Sequence, residues 1–362
     1  MKILFISNGH GEDLIAARII TELKGQEISA LPIVGSGLPY ENTEGKILGA
    51  RKALPSGGFI YQSFSNIIKD FASGLGKNTI DQIKLLRRQK GKFDIVVCVG
   101  DIVPVIGALF TGIPFVFMGS AKSDYYDYSY TPWEKFILKR YCLMSFLRDQ
   151  KTADNFVKAG IKAIYAGNPM MDCLDITGED FGIEKETKVI GILPGSRQDA
   201  RMNLEDILPA VKELNKLAAQ NGIKTAYLVS VAPTLNAQEL ELGQDLILSK
   251  KFGDILNRSD IVIGLTGTAN EQAAGMGKPV VAFAGRGVQY TASFAKRQTQ
   301  LLGKALSVVK REPSVIAAKI MDILLDKDLY KSMSEAGVER VRGKGAGKKI
   351  ADYVLGLKKA AK

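Results

Sequence analysis

Histidine and cysteine are scarce in this sequence. Among 362 residues there is one histidine, His10, and there are three cysteines, Cys98, Cys142 and Cys173. A single histidine argues against a histidine-based metal site, and three cysteines without a Cys-x-x-Cys pair form neither a zinc motif nor an even disulfide framework. We therefore expect no bound metal and a reducing, cytoplasmic environment.

Long apolar runs are also missing. No stretch reaches the roughly 20 apolar residues that are needed to cross a bilayer. The N-terminus, MKILFISNGHGED, has one lysine, a very short apolar run and then two acids, which is typical of a first strand rather than of a signal peptide. Any contact with a membrane should therefore be peripheral, at the inner face of the cytoplasmic membrane.

Acidic residues are fewer than basic ones, 38 against 49, which gives a formal net charge of +11. A positive surface attracts nucleic acid, anionic lipid or phosphorylated substrates. The sequence contains no recognised nucleic-acid-binding module, so we expect no nucleic-acid partner.

The length of the chain favours two domains. Short apolar runs alternate with helical patterns in both halves, which predicts the α/β class with two doubly wound parallel sheets. The predicted strands are 2–7, 28–34, 93–100, 114–119 and 161–169, followed by 189–193, 225–231, 260–265 and 279–283. A polar stretch at 170–188 separates domain 1–172 from domain 173–343, and 344–362 is predicted as a final helix.

Two segments leave alternatives open. Residues 55–92 begin as an apolar loop and continue as a basic amphipathic helix, which fits either a crossover helix on the sheet or a lid that faces a membrane. An aromatic group fits either a packed loop or a surface that stacks on a sugar or a lipid. It consists of Tyr125, Tyr126, Tyr128, Tyr130 and Trp133.

Ligands of open parallel sheets bind beyond the carboxyl ends of the strands. After the first strand, Gly9 and Gly11 allow the backbone to approach a ligand at a helix N-terminus, which attracts anions. The alternative is a tight turn in which Glu12 and Asp13 complement the helix dipole. The loop lacks the G-x-G-x-x-G fingerprint, so no dinucleotide cofactor is expected.

Asp101 directly follows the buried strand 93–100. A carboxylate at this place can act as general base on a substrate hydroxyl if burial raises its pKa. The alternative is that it only caps the next helix.

Three loops of the second half carry residue types that bind phosphates and sugars. Gly195, Ser196 and Arg197 offer an open backbone, a hydroxyl and a guanidinium. Thr266, Gly267, Thr268 and Ala269 open a helix whose amides can hold a diphosphate, and Glu271 or Gln272 can reach a ribose one turn later. Gln289 either contacts sugar hydroxyls or is only a loop residue.

Four motifs together resemble those of the lipid-A-disaccharide synthases and of the divergent group related to them. They are FISNGHGED (5–13), GNPMMD (167–172), LPGSR (193–197) and GTANEQ…GKPVV (267–281), and they occur in the family's order over nearly the whole chain. The resemblance implies a GT-B fold, in which two Rossmann-like domains face a cleft. It also implies an inverting enzyme without a metal, which binds UDP in the C-terminal domain and the acceptor in the N-terminal one, and whose last helix returns to the N-terminal domain.

The match is incomplete at three positions. The family's ribose-binding Glu corresponds to Gln272, with Glu271 one residue earlier, and only Asp101 remains of the acceptor-side Asp-Pro-Asp pattern, with Pro104 shifted by one. His10 stands where the synthases have small residues. A histidine at this position of the loop resembles the related peptidoglycan N-acetylglucosaminyltransferase.

We therefore predict an inverting, metal-independent glycosyltransferase that moves a hexose or an N-acetyl- or acyl-glucosamine unit from a UDP-sugar to a lipid-linked or glycolipid acceptor, with no cofactor. Asp101 or His10 is the expected base, and Glu12 completes the catalytic set. The alternatives are a UDP-N-acetylglucosamine 2-epimerase, which one histidine disfavours, and a non-catalytic nucleotide-sugar-binding protein.

Overall fold

The computed structural model describes residues 1–34, 36–49, 83–126, 129–195, 199–231 and 246–360. Ser196, Arg197, Tyr128 and the part of the 55–92 segment up to residue 82 lie outside these ranges. Contacts between Cα atoms divide the chain into two compact units. Unit 1 is Met1–Cys173 with Lys344–Lys362, and unit 2 is Leu174–Gly343.

Unit 1 is built on a seven-stranded, all-parallel sheet with the strand order β3-β2-β1-β4-β5-β6-β7. Its strands are β1 Lys2–Ser7, β2 Glu27–Pro32, β3 Lys46–Ile47, β4 Ile95–Gly100, β5 Phe115–Gly119, β6 Cys142–Leu147 and β7 Ala163–Ile164. Its helices are α1 His10–Thr21, α2 Ile102–Thr111, α3 Pro132–Tyr141 and α4 Gln150–Lys158, with 3₁₀ turns at Leu38–Asn42 and Pro169–Cys173.

The interior strand β1 is apolar on both faces because helices cover both sides of the sheet. Ile3 and Phe5 pack into one core cluster, and Leu4 and Ile6 pack into the other. This two-sided burial explains why the strands appear in the sequence as continuous apolar runs rather than as alternating patterns.

Unit 2 is built on a six-stranded, all-parallel sheet with the order β10-β9-β8-β11-β12-β13. Its strands are β8 Lys188–Leu193, β9 Thr225–Ser230, β10 Leu246–Ser249, β11 Ile261–Gly264, β12 Val280–Phe283 and β13 Leu306–Val309. Its helices are α5 Ala200–Gln220, α6 Phe252–Arg258, α7 Thr268–Gly275, α8 Ala292–Leu302, α9 Pro313–Leu325 and α10 Lys327–Val341, with a 3₁₀ turn at Gly303–Ala305.

The C-terminal helix α11, Ala346–Ala360, belongs to unit 1. Ile350 and Val354 pack into the same cluster as Ile3. The carboxylate of Asp172 accepts hydrogen bonds from the backbone N–H groups of Gly345 and Gly347, at 2.7 Å for Gly347. Asp172, which lies one residue before the chain passes into unit 2, therefore holds the start of α11 in place.

The sequence misplaces several strands. The predicted strand 161–169 shrinks to Ala163–Ile164, because the 3₁₀ turn Pro169–Cys173 follows closely. Cys142–Leu147 was missed because it follows α3 with no glycine or proline between them. Leu246–Ser249 and Leu306–Val309 were missed because four residues are too short to show a period.

Candidate functional site

The carboxyl ends of β1 and β4 bring two loops of unit 1 together. The strands are parallel neighbours, with Ser7 opposite Val99. The side-chain amide of Asn8 donates to Oδ1 of Asp101 at 3.1 Å, and the backbone N–H of Val103 donates to the same oxygen at 2.8 Å. Asp101 therefore caps α2, as one of the two interpretations of the sequence expects, and it lies at the strand end, where its role as a general base stays a prediction.

Glu12, in the first turn of α1, lies over the end of β4. A Cβ atom on Gly100 would lie 3.1 Å from Cγ of Glu12, and φ at Gly100 is 132°, so glycine is needed for space and for backbone conformation. The hydroxyl of Ser120, which follows β5, donates to Oε1 of Glu12 at 3.4 Å. Residues from three neighbouring strand ends thus surround this carboxylate.

The Asp101–Glu12 pair has the electrostatics of a proton acceptor. Burial raises the pKa of Glu12, and the negative charge of Asp101 raises it further. Burial also raises the pKa of Asp101, against the hydrogen bonds from Val103 and Asn8. A carboxylate with a raised pKa is a stronger base, which suits the removal of a proton from a hydroxyl.

His10 is the first residue of α1, and its side chain is exposed. The N-cap, Gly9, has φ 132°, and no side chain caps the helix. His10 and Glu12 therefore share the first turn of one helix, whereas Asp101 reaches the same edge of the sheet from β4.

Asp13 lies in the first turn of α1, as the sequence predicts, but its side chain points into the core. It is fully buried, and its Oδ1 accepts a hydrogen bond from the hydroxyl of Ser7 at 2.5 Å. The same hydroxyl lies 2.5 Å from the hydroxyl of Tyr40, while Oδ2 of Asp13 is buried without a partner in the described structure. Burial raises the pKa of Asp13 from 3.8 to about 7.

This pKa predicts a pH-dependent stability that Asp13→Asn removes. The folded protein keeps the Asp13 proton that the unfolded chain loses above the ordinary aspartate pKa of 3.8, so the stabilising contribution is complete below that pH and is lost as the pH rises to about 7. The loss is on the order of 4 kcal/mol, at about 1.4 kcal/mol per pKa unit.

Urea unfolding at a series of pH values measures this effect. We expect the free-energy difference between Asp13→Asn and the parent chain to grow in favour of the variant as pH rises through this window. A difference that stays constant with pH would contradict the buried, protonated state of Asp13.

A partly buried ion pair lies near Asp101. The Nζ of Lys122 is 2.6 Å and 2.7 Å from the two carboxylate oxygens of Glu134, which forms a capping box with Thr131 at the start of α3. Lys122 lowers the pKa of Asp101 and Glu134 raises it, so the first turn of α3 is within electrostatic reach of Asp101.

The aromatic group predicted from the sequence divides at this helix. Tyr130 is buried, and its ring packs edge-on against Phe156. Trp133 is half-exposed on the first turn of α3. Part of the group is therefore a packed loop, and part of it is surface.

In unit 2, α7 begins directly beyond the carboxyl end of β11. Its N-cap is Gly267, and no side chain makes a capping hydrogen bond. Thr266 and Thr268 place hydroxyl groups on either side of this glycine. A helix start of this kind presents backbone N–H groups and a positive dipole end, which suits a phosphate.

A buried polar network holds the α7 start from behind. The side-chain amide of Gln298, on α8, donates to the backbone oxygens of Thr266 at 3.0 Å and Gly267 at 2.8 Å. Its Oε1 accepts from Asn270 at 2.9 Å and from the hydroxyl of Tyr290 at 2.7 Å. These bonds hold the backbone oxygens of Thr266 and Gly267 toward the buried side chain of Gln298. The C=O and N–H groups of a trans peptide point in opposite directions, so the N–H groups of the following residues point away from Gln298.

The remaining predicted donor contacts are spread over neighbouring strand ends. Gly195 follows β8 with φ 103°, a conformation that favours glycine. Glu271 and Gln272 are both buried within α7. Gln289 is partly buried, and its backbone N–H donates to Oδ2 of Asp199 at 2.8 Å.

Asp199 connects two of these loops. Its carboxylate packs directly against Gly287, where a Cβ atom would lie 2.0 Å from the carboxyl carbon. In the same loop, Arg286 pairs with Glu205 at 2.9 Å and with Asp206 at 3.2 Å on α5. These ion pairs of Arg286 connect the loop after β12 to α5.

The sequence and the fold are similar to those of several known proteins. No family model matches the sequence. The lipid-A-disaccharide synthase of Trichlorobacter lovleyi is 24% identical over 230 residues, which are 56% of this chain and 59% of that protein. The synthase of Azoarcus sp. is 30% identical over 142 residues, 35% of each chain. This chain resembles lipid-A-disaccharide synthases. The match with the first of these synthases spans somewhat more than half of that protein's length.

Solved structures that resemble this chain cover nearly its whole length. The calicheamicin glycosyltransferase CalG4 has a TM-score of 0.68 at 14% identity and covers 98% of this chain and 97% of its own. MurG of Acinetobacter baumannii has a TM-score of 0.62 at 14% identity, covering 98% and 99%. The Neisseria meningitidis UDP-GlcNAc 2-epimerase, solved with UDP-GlcNAc, has a TM-score of 0.60 at 18% identity, covering 98% and 100%. At these identities the likeness shows the fold, and it confirms the predicted class of two Rossmann-like parallel-sheet units.

Sequence reasoning missed the residues that support these sites. Tyr40 is 33 residues from its partner Ser7, and Gln298 is 28 residues from its partner Asn270, so no local motif joins them.

None of the helices within the described ranges combines the length and apolar composition that a bilayer-spanning segment requires. In the same ranges, no three potential metal-ligating side chains are grouped together.

Proposed function

We propose that this chain is an inverting, metal-independent glycosyltransferase that moves a hexose or an N-acetyl- or acyl-glucosamine unit from a UDP-sugar to a lipid-linked or glycolipid acceptor. Its sequence similarity to lipid-A-disaccharide synthases supports the reaction class. The acceptor, by this proposal, is met at the cytoplasmic face of a membrane.

The observation that carries the proposal is the Asp101 carboxylate. Both hydrogen bonds that the described residues make to it go to Oδ1, from Asn8 and Val103. The side chain is therefore oriented by one oxygen, while Oδ2 can accept a proton. The negative charge of Asp101 raises the pKa of the neighbouring Glu12, so a proton on either carboxylate relieves the repulsion between them.

The donor half of the proposal rests on the α7 start. The diphosphate is held by the amides after Gly267, with hydroxyls from Thr266 and Thr268 and with Ser196 and Arg197 from the loop after β8. These groups stabilise the negative charge that develops on the leaving UDP. The ribose is assigned to Glu271 or Gln272, and the sugar to Gln289.

The displacement is a single step. Asp101 takes the proton of an acceptor hydroxyl, and the oxygen attacks the anomeric carbon from the face opposite the diphosphate. The bond from the anomeric carbon to the diphosphate oxygen breaks, and its electron pair leaves with UDP. His10 is the second candidate base, because it shares the α1 turn with Glu12.

A UDP-N-acetylglucosamine 2-epimerase is the second candidate function. The similarity of the whole fold to the Neisseria meningitidis epimerase favours it. The single histidine disfavours it, since those enzymes surround the sugar with several histidines and carboxylates.

Product analysis separates the two functions. The chain is incubated with UDP-N-acetylglucosamine, with and without a lipid extract, and the products are analysed by mass spectrometry. Transfer predicts UDP release and a lipid heavier by one sugar, both only when lipid is present. A C2 epimer formed without any lipid would establish the epimerase and would contradict the transferase.

A further inference from the structure

The exposed face of α3 carries aromatic side chains that nothing in the described structure covers. Trp133 is 50% exposed, Phe136 is 64% exposed and Tyr141 is 49% exposed. Trp133 and Phe136 are three residues apart and Arg140 follows four residues later, so the three share one side of the helix. Two large aromatic side chains and a cation on successive turns of one helix face form a contiguous patch rather than isolated surface residues.

The charge of this face is entirely positive. The acidic residue of α3, Glu134, is buried and bound by Lys122, so its charge is neutralised inside the unit. Lys139 and Arg140 lie on the exposed side, and the guanidinium of Arg140 lies 5.3 Å from the ring centre of Tyr141. We call Trp133, Phe136, Lys139, Arg140 and Tyr141 the α3 surface.

We propose that the α3 surface docks this protein onto an anionic lipid bilayer. Trp and Tyr side chains favour the boundary between water and lipid because one part of each is apolar and the other polar. Each Lys or Arg side chain near an anionic membrane adds electrostatic attraction to it. A net charge of +11 on the chain extends the same attraction beyond the helix.

Docking through α3 brings the site of the proposed function close to a membrane-bound acceptor, and this step of the inference rests on that proposed function. The first turn of α3 lies within electrostatic reach of Asp101 through Glu134 and Lys122. Docking through Trp133 therefore brings the catalytic edge of unit 1 to the membrane surface. An acceptor can then offer its sugar hydroxyl to Asp101 while its acyl chains stay in the bilayer.

Trp133 is the only tryptophan of the chain, so its fluorescence reports on this surface alone. The full chain is mixed with vesicles of phosphatidylglycerol and phosphatidylcholine in equal parts, or of phosphatidylcholine alone. With the anionic vesicles we expect a blue shift of the emission and quenching by brominated acyl chains. Binding to the anionic vesicles with no change in emission would overturn the proposal, because the contact would then lie elsewhere.

Vesicle sedimentation tests the same surface by mutation. The double variant Trp133→Ala/Phe136→Ala is expected to lower the partition coefficient on the anionic vesicles about tenfold or more, since both side chains lose their burial in lipid. The matched control is Leu325→Ala/Val338→Ala in unit 2, where the side chains are 54% and 47% exposed. The control should sediment as the parent chain does.

Three results would overturn the proposal. One is a double variant that sediments as well as the parent, and another is a parent chain that fails to bind anionic vesicles. The third is a parent chain that forms a dimer which the double variant disrupts, because α3 would then cover a second copy. Thermal melting of the variant confirms that it is folded. None of these readouts uses sugar transfer, so a failed transfer assay leaves them valid.

Discussion

Asp101→Asn is expected to lower turnover by on the order of 10²–10⁴-fold while the affinity for UDP stays within about twofold. Asparagine is a good N-cap and can still accept the hydrogen bond from the N–H of Val103, so α2 keeps its start. It cannot take a proton from a hydroxyl. The substitution therefore removes the base and leaves the cap.

The helix cap and the base can be separated further by two comparisons. Asp101→Ala should lose the same turnover and also about 1 kcal/mol of stability, because the cap is gone. Asp149→Asn is the matched control, since Asp149 is a buried aspartate that caps α4 by accepting from the N–H of Thr152 at 2.8 Å. It should keep full turnover.

The measurement is a steady-state transfer assay together with calorimetric titration of UDP. If Asp101→Asn turns over at the parent rate, Asp101 is only a cap and the base is another group. His10→Ala then becomes the decisive variant, because His10 is the second candidate for the same proton.

Gln298→Ala is expected to weaken UDP binding about tenfold or more and to cost about 3 kcal/mol of stability in unit 2. The substitution takes a donor from the carbonyl groups of Thr266 and Gly267, and an acceptor from Asn270 and Tyr290. The loop that presents the α7 amides then loses its support, although Gln298 itself is not assigned to the ligand.

Lys296→Ala is the matched control for this prediction. Lys296 lies on the same helix, α8, two residues earlier, and its side chain is exposed. The control should bind UDP as the parent does. Equal affinities in the parent and in Gln298→Ala, measured by titration, would show that the α7 start does not hold the nucleotide.

The sequence was sufficient to predict the fold class, because parallel strands buried on both faces leave long apolar runs. FDIVVCVG at 93–100 is such a run, and it became β4, whose residues are all buried. Short edge strands such as Leu306–Val309 leave no such signal, since a run of four residues with only its first one buried fits a loop equally well.

The candidate site was only partly predictable, for a physical reason. Residues placed directly after a strand, such as Asp101 and Thr266, can be found because parallel strands all end at one edge. The groups that orient them come from distant segments. Gln298 supports Gly267 from 31 residues away, and Tyr40 meets Ser7 across 33 residues. Their partners are fixed by packing, so the local sequence does not identify them.

Asp13 illustrates the same limit. An acid in the first turn of a helix ordinarily faces solvent and complements the dipole. Here the fourth residue of α1 points into the core, where it accepts a hydrogen bond from Ser7, whose hydroxyl also lies next to that of Tyr40. The pattern of α1 shows which face is apolar, but not that a carboxylate lies within that face.

The central claim is that the start of α7 grips a nucleotide diphosphate. Amide hydrogen exchange of the full chain, followed by mass spectrometry with and without UDP, tests it most directly. We expect UDP to slow exchange in peptides that span residues 266–270. Slowed exchange confined to unit 1, or none at saturating UDP, would contradict the account.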